Sequence, residues 1–369
     1  MKNPFDQRTV GHFDWPLFGC TAAILALGLL NLYSATYSPG QGADRHFQLQ
    51  AIWMGMGVIV VGVLLLFSYR QIDRLSYPIY LFTLLLLALV AVKGHSVLGA
   101  QRWLQLGPLV LQPSEVIKPA IVIALSKYFY ARKSQQLMDL RGVFLPCLIT
   151  LVPAILILKQ PDLGTAIIVV IVAGSMILFA GVERKILITT AALFILAVPV
   201  AWNFVLHDYQ KNRLYTFLNP EKDAKGKGYQ TIQSRIAIGS GELFGKGYLN
   251  GTQTKLRFLP KQHTDFAFST FAEEFGFVGS LVVLFLYASL CLLGIQIAQT
   301  AKDPFGMYLA FGMTILIGWQ AVINLSMEAG ILPVVGVPIP LFSYGGTSLL
   351  STLLAIGILM NISMRKYLF

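Results

Sequence analysis

Apolar stretches of about 20 residues, each long enough to cross the roughly 30 Å hydrocarbon core of a bilayer, recur along almost the whole chain. No soluble core needs so many. In lipid each stretch must satisfy its own backbone polar groups, which makes helices the repeating unit. Ten candidate spans fall near residues 15–35, 49–68, 76–93, 113–130, 143–158, 163–181, 186–206, 266–298, 305–327 and 341–364. The expected fold is an all-α polytopic membrane protein of about ten transmembrane helices, with one long structured extracytoplasmic loop at 207–265. Composition agrees. Of 369 residues, 56% are hydrophobic and 12% charged, where a soluble domain carries about 25% charged residues.

Ten spans put both termini on one side, and Lys and Arg in short loops decide which. With the N-terminus inside, thirteen Lys and Arg, among them Arg70, Lys127, Arg184 and Arg365, are cytoplasmic, whereas only Arg45, Lys93, Arg102 and Lys159 occupy short outside loops. Both termini are therefore expected in the cytoplasm. The connection from Leu206 to Asp265 then faces outward. A net charge of +11 argues for anionic lipid or an anionic substrate, and no nucleic-acid motif accompanies it. A second span follows the first closely, so the first run reads as a span rather than a cleaved signal peptide. Cys20, Cys147 and Cys291 lie in apolar runs without metal-ligand spacing. No internal repeat is evident, which weighs against a secondary transporter.

Polar chemistry at membrane depth is the informative signal, because ionisable groups there are costly and face the bundle interior or a wet cavity. In Gln112-Pro113-Ser114-Glu115-Val116-Ile117-Lys118-Pro119, Glu115 and Lys118 stand three apart. On a helix that spacing puts them on one face. They form either a structural ion pair or a cavity-lining pair beside an anionic headgroup. In Lys159-Gln160-Pro161-Asp162-Leu163-Gly164-Thr165, Asp162 either caps the next helix or coordinates a cation at a cavity entrance. Arg102, in Gln101-Arg102-Trp103, reads by itself as a headgroup-snorkelling residue.

The long loop carries Tyr209, Tyr215, Phe217, Tyr229, Ile232 and Phe244, too apolar for a flexible tether. Its run Gly239-Ser240-Gly241-Glu242-Leu243-Phe244-Gly245-Lys246-Gly247 fails the Walker pattern at Ser240 and Gly247 and the dinucleotide fingerprint at Phe244. Tight turns are the better reading of those glycines. The loop closes on His263-Thr264-Asp265-Phe266, with Glu273 and Glu274 beyond. On one continuous helix Glu273 would lie about 12 Å from Asp265, a poor fit to a glycosidase carboxylate pair at about 5–9.5 Å. A transferase with a diphosphate leaving group needs one base. Asp265 is either that base or a helix cap, and His263 reads as a hydrogen-bonded neighbour. Finally, Gly336-Val337-Pro338-Ile339-Pro340-Leu341-Phe342-Ser343-Tyr344-Gly345-Gly346-Thr347-Ser348 interrupts an apolar stretch. Irregular backbone at that depth persists only beside protein or a water cavity, which makes this run, Ser343 included, a second cavity wall.

Taken together, Gln112 to Lys118, Gln160 to Thr165, His263 to Phe266 and Gly336 to Ser348, in that order on a ten-span plan, resemble the SEDS family of shape, elongation, division and sporulation proteins. The resemblance runs nearly end to end. His207 to Arg213 and Gly251-Thr252-Gln253 look like its elongation branch rather than its division branch. The sequence departs from the family pattern at Glu242, where glycine is common, at Lys261, where Glu often stands, and at Phe342, where a smaller aliphatic is usual.

The resemblance implies a GT-C-like architecture in the bacterial inner membrane and a peptidoglycan glycosyltransferase for cell elongation and rod shape. Such an enzyme polymerises lipid II on the outer face of that membrane. It works within an elongation complex beside a class B penicillin-binding protein, the transpeptidase. Asp265 matches the family's essential aspartate. Glu115, Lys118 and Asp162 match further polar positions, and Arg45 and Arg213 match basic residues near the substrate cavity. The implied donor is the growing glycan on its polyprenyl diphosphate and the acceptor a lipid II 4-hydroxyl. Basic side chains, with or without a divalent cation (Mg or Mn), hold the diphosphates, and a single displacement inverts the donor carbon. Two other classes remain open: a lipid II flippase, and a scaffold that only anchors the transpeptidase.

Overall fold

The structure is a computed structural model that describes residues 13–37, 44–97, 100–106, 109–132, 137–200, 203, 211, 215–222, 226–256 and 258–366. Among them run ten long helices: α1 Trp15–Thr36, α2 Arg45–Leu66, α3 Tyr69–Lys93, α4 Pro113–Ala131, α5 Leu140–Lys159, α6 Leu163–Ala180, α7 Arg184–Val200, α9 Ala267–Gln299, α10 Pro304–Glu328 and α11 Gly346–Met364. The shorter α8, Lys227–Ser240, belongs to the long connection between α7 and α9. Eight of the ten are long and apolar enough to cross a membrane by those measures alone. The other two are α4, which carries Glu115, Lys118 and Lys127, and α7, which has 17 residues.

Aspartates start five of these helices, Asp44 of α2 accepting the N–H of Arg45. The side chains of Asp14, Asp139, Asp162 and Asp303 accept the N–H groups of Leu17, Gly142, Thr165 and Gly306, respectively, each satisfying a donor that the first turn leaves unpaired. Single glycines close two helices, Gly94 after α3 and Gly181 after α6. Residues 341–345, expected within the last span, are not helical, and α11 begins only at Gly346. Arg45, expected in a loop, is the first residue of α2.

A three-stranded antiparallel sheet joins α3 to α4: β1 His95–Val97, β2 Ala100–Leu106 and β3 Leu109–Leu111. β2 is central, pairing His95 with Trp103 on one edge and Leu104 with Leu111 on the other. The sheet lies on the same face of the bundle as the long connection, hereafter the loop face. On the opposite face, Ser363 donates to Asp14 at 2.6 Å and Lys127 pairs with Asp73 at 2.8 Å.

The expectation of one continuous eighth span is corrected by a break in α9. Gly276 has φ 67° and ψ −161°, a conformation open to glycine and strained for other residues. The groups freed by the break are met by the long connection. Phe277 and Val278 donate to the carbonyls of Glu242 and Leu243, and Lys246 and Gly247 donate to those of Glu273 and Glu274. Contact there is backbone to backbone, since a Cβ on Gly276 would stand 2.3 Å from the Gly245 nitrogen. Before the break α9 is enclosed by protein; after it Phe277, Val278, Leu281 and Phe285 are exposed.

The two parts of α9 take different courses against α1. Cys20 donates to Leu286 O at 3.1 Å, which registers the second part along α1. In the first part Asn31 donates to Ala267 O at 2.8 Å and Ser34 to Glu274. Seven residues of α9 thus answer to three of α1, so the segment Ala267–Phe275 lies across α1 rather than along it. Its depth is that of the last turns of α1.

Candidate functional site

Asp265 sits where this transverse segment begins, 8% exposed. Its carboxylate does not cap α9, whose N-cap residue is Phe266 and whose N-terminus carries no cap from its own side chains. That acceptor comes from α10 instead. Glu328 takes the N–H of Phe268 at 3.3 Å, the N–H of Ser269 at 2.6 Å and the Ser269 hydroxyl at 2.6 Å. A carboxylate there satisfies unpaired donors and meets the positive end of the helix dipole. One turn back on α10, Asn324 donates to Asp265 O at 3.1 Å and to Val337 O at 2.7 Å. The backbone of Asp265 is therefore fixed from behind while its side chain stays free of structural duty to α9.

In front of Asp265, Lys261 Nζ lies 3.2 Å from Oδ2, and Gly336 is close enough that a Cβ there would come within 3.6 Å of the same oxygen. His263 O accepts the N–H of Tyr344 at 2.9 Å, tying this turn to the loop before α11. The His263 ring lies 4.9 Å from that of His46, which packs edge-on at 5.0 Å against Tyr344. Burial pushes the His263 imidazole below its ordinary value, His46 adds to the effect, and Asp265 opposes it. His263 is therefore neutral at neutral pH, and Lys261 supplies the positive charge. Arg45 is exposed on α2, beside this group, and its charge favours the ionised form of Tyr344 although burial pushes that phenol up overall.

A second polar group lies between α4, α6 and α11. Glu115 and Lys118 form an ion pair at 2.8 Å, 4% and 3% exposed, and Ser351 of α11 donates to Glu115 O at 2.9 Å. Asp162 caps α6 and also meets the Thr165 hydroxyl at 3.0 Å, Gln112 at 3.3 Å and Ser114 at 3.4 Å. Arg102, on β2, is not a free snorkelling side chain. It donates to the carbonyls of Gln160 and Pro161 and lies 3.8 Å from Asp162. Among the described residues, no hydrogen bond or ion pair joins Asp265 directly to Glu115, Lys118 or Asp162. What spans the two groups is the Gly336 to Ser348 run, through Tyr344 at one end and Thr347, which accepts from Gln112 N at 3.1 Å, at the other. Ser343 holds that run in shape: its hydroxyl accepts from Ile339 N at 3.2 Å and its carbonyl accepts from Gln50 at 3.3 Å. Arg213 lies outside the described residues.

Glu328 and Asn324 were not among the candidates from sequence, and one signal could have found the first. A glutamate closing a helix opposes the helix dipole, so its carboxylate needs a reason to be there. Glu273 has a comparable role. Fully buried, it accepts from Lys246 at 2.6 Å, Thr252 N at 2.8 Å and Gln253 N at 3.1 Å, fastening the long connection to α9. Among the described residues, no group of three or more His, Cys, Asp or Glu converges, and Asp265 faces Lys261.

Residues 14–368 match the profile of the FtsW, RodA and SpoVE cell cycle proteins. The chain is 37% identical over 357 residues to the peptidoglycan glycosyltransferase MrdB of Escherichia coli strain K12, covering 96% of this chain and 94% of that one. It is 35% identical over 373 residues to the probable peptidoglycan glycosyltransferase FtsW of Geobacter sulfurreducens, covering 99% of each. Among solved structures, a chain of a peptidoglycan synthase complex that coordinates polymerization and crosslinking matches with a TM-score of 0.83 and 33% identity, over 97% of this chain and 99% of that one. The rod shape determining protein RodA of Thermus thermophilus matches with a TM-score of 0.72 and 33% identity, over 97% and 98%.

Proposed function

The chain belongs to the FtsW, RodA and SpoVE family and is a multi-pass membrane peptidoglycan glycosyltransferase of cell elongation, and on that premise we propose that Asp265 is the general base with which it polymerises lipid II. One observation carries the residue assignment: Glu328 does the capping that an aspartate at a helix start would otherwise do, leaving the Asp265 carboxylate available. In the proposed reaction Asp265 takes the proton of the lipid II 4-hydroxyl as its oxygen bonds to the donor's anomeric carbon. The bond from that carbon to the diphosphate breaks on the opposite side, with inversion. The leaving diphosphate departs with its electron pair and needs no proton if cations meet it. Lys261, 54% exposed and paired with Asp265, and Arg45, exposed at the start of α2, suit that task. Glu115, Lys118, Asp162 and Arg102 form the far polar wall.

The same reading puts both termini in the cytoplasm and the loop face outside, and gives the chain a class B penicillin-binding protein as its working partner within an elongation complex. Asp265→Asn is the decisive variant. It keeps size and hydrogen-bonding capacity and, since Asp265 caps nothing, should leave the melting temperature near wild type. General-base catalysis contributes about 10²–10⁴-fold, so glycan synthesis from lipid II by the purified variant should fall at least about a hundredfold. Near-normal synthesis by a folded variant would remove Asp265 from the mechanism. A flippase forms no bond, so polymer from the wild-type chain excludes that alternative.

A further inference from the structure

The long connection turns back toward the bilayer at Glu242 to Tyr248, and its tip is apolar. Phe244 is 79% exposed and Leu243 61% exposed, yet both belong to a firmly held turn. Glu242 O and Leu243 O accept the N–H groups freed at the α9 break, and Gly245 N donates to Gly241 O at 2.7 Å. The tip is therefore neither a loose strand nor a core residue that has lost its cover.

Its depth can be read from α1. Cys20 is registered with Leu286, and ten residues toward the loop face from each lie Leu30 and Gly276. Tyr248 donates to Leu30 O at 3.2 Å, which confirms that level independently. Leu30 lies six residues short of the α1 end at Thr36, about 9 Å at ~1.5 Å per residue. The tip is thus level with helix turns inside the apolar band. It is also continuous with surface already facing lipid, since Phe277, 61% exposed, and Val278, 46% exposed, follow directly on α9. Of the two charges beside the tip, Lys246 is withdrawn inward, with Nζ on Glu273 at 2.6 Å, whereas Glu242 is exposed and must reach the headgroup layer.

We infer that Leu243 and Phe244 form a membrane wedge, inserted among the acyl chains of the leaflet on the loop face. The expected seat is the headgroup–acyl boundary, where interfacial apolar faces bury to about 5–10 Å. The wedge anchors the turn that closes the α9 break, and so holds the transverse segment at a fixed height over the lipid.

The test uses the full chain with Cys20→Ala, Cys147→Ala and Cys291→Ala, and a nitroxide attached at Phe244→Cys or, separately, at Lys255→Cys. Each is reconstituted in vesicles of phosphatidylcholine and phosphatidylglycerol, and collision rates are read with oxygen, which partitions into acyl chains, and with a water-soluble nickel chelate. The oxygen-to-nickel ratio should be several-fold higher at position 244 than at 255. Leu243→Cys provides the same readout should Phe244→Cys disturb the turn. Equal ratios would place the tip in water and overturn the inference. Shielding of position 244 from both probes would mean that protein covers it, which overturns it equally. The readout requires no catalytic activity, so it stands or falls separately from the glycosyltransferase chemistry.

Discussion

Glu328 shows how one side chain can relieve another of a structural duty. Its carboxylate accepts from three donors at the start of α9, and an unsatisfied buried donor costs about 1–3 kcal/mol. Glu328→Ala should therefore lower the melting temperature and also slow glycan synthesis, because Asp265 lies just ahead of the loosened turn. Glu328→Gln keeps an acceptor oxygen and should recover part of both. Thermal unfolding and turnover measured on the same preparations check this; wild-type values for Glu328→Ala would make the cap dispensable. At this scale the sequence is informative where chemistry is local. Glu115 and Lys118 are three residues apart, and their pairing follows from helix geometry alone. Glu328 and Ser269 are 59 residues apart, and nothing near either announces the other. Departures from the family pattern carry a conformational cost that composition hides, since Glu242 and Lys261 both adopt positive φ, 48° and 56°.

At the scale of elements, α4 is a span that tolerates charge because its charges meet. Removing one member of a buried pair costs about 3–5 kcal/mol, whereas removing both costs far less. Glu115→Gln with Lys118→Met should accordingly be much less destabilised than the sum of the single variants, by a coupling within the usual range of about 0.5–3 kcal/mol for contacting residues. Strict additivity in thermal unfolding would dissolve the pair as an energetic unit. A folded double variant that has lost turnover would place the pair in the substrate cavity. Hydropathy locates such helices well because twenty apolar residues have few other uses. It is blind to the break at Gly276, since that glycine stands between Phe275 and Phe277 at the head of an apolar run and its partners are backbone atoms of another segment. The sheet at β1 to β3 escapes for a related reason: strands of three to seven residues offer too little periodicity.

At the scale of the whole molecule, function depends on which side the loop face occupies. A chain with Lys255→Cys and the three native cysteines replaced should react with an impermeant thiol reagent in intact spheroplasts. Reaction only after lysis would invert the orientation and put Asp265 on the cytoplasmic side. The bundle also has a temporal order built into its contacts. Asn31, Ser34 and the 242–247 turn, which receive the transverse segment, all leave the ribosome before it does. Asn324 and Glu328, which fix Asp265 and cap the helix behind it, emerge 59 residues later. At about 5–20 residues per second that interval is roughly 3–12 s. A nascent chain therefore carries its aspartate unaligned until α10 has entered the bilayer, so the setting of Asp265 in each new molecule waits on a helix made seconds after it.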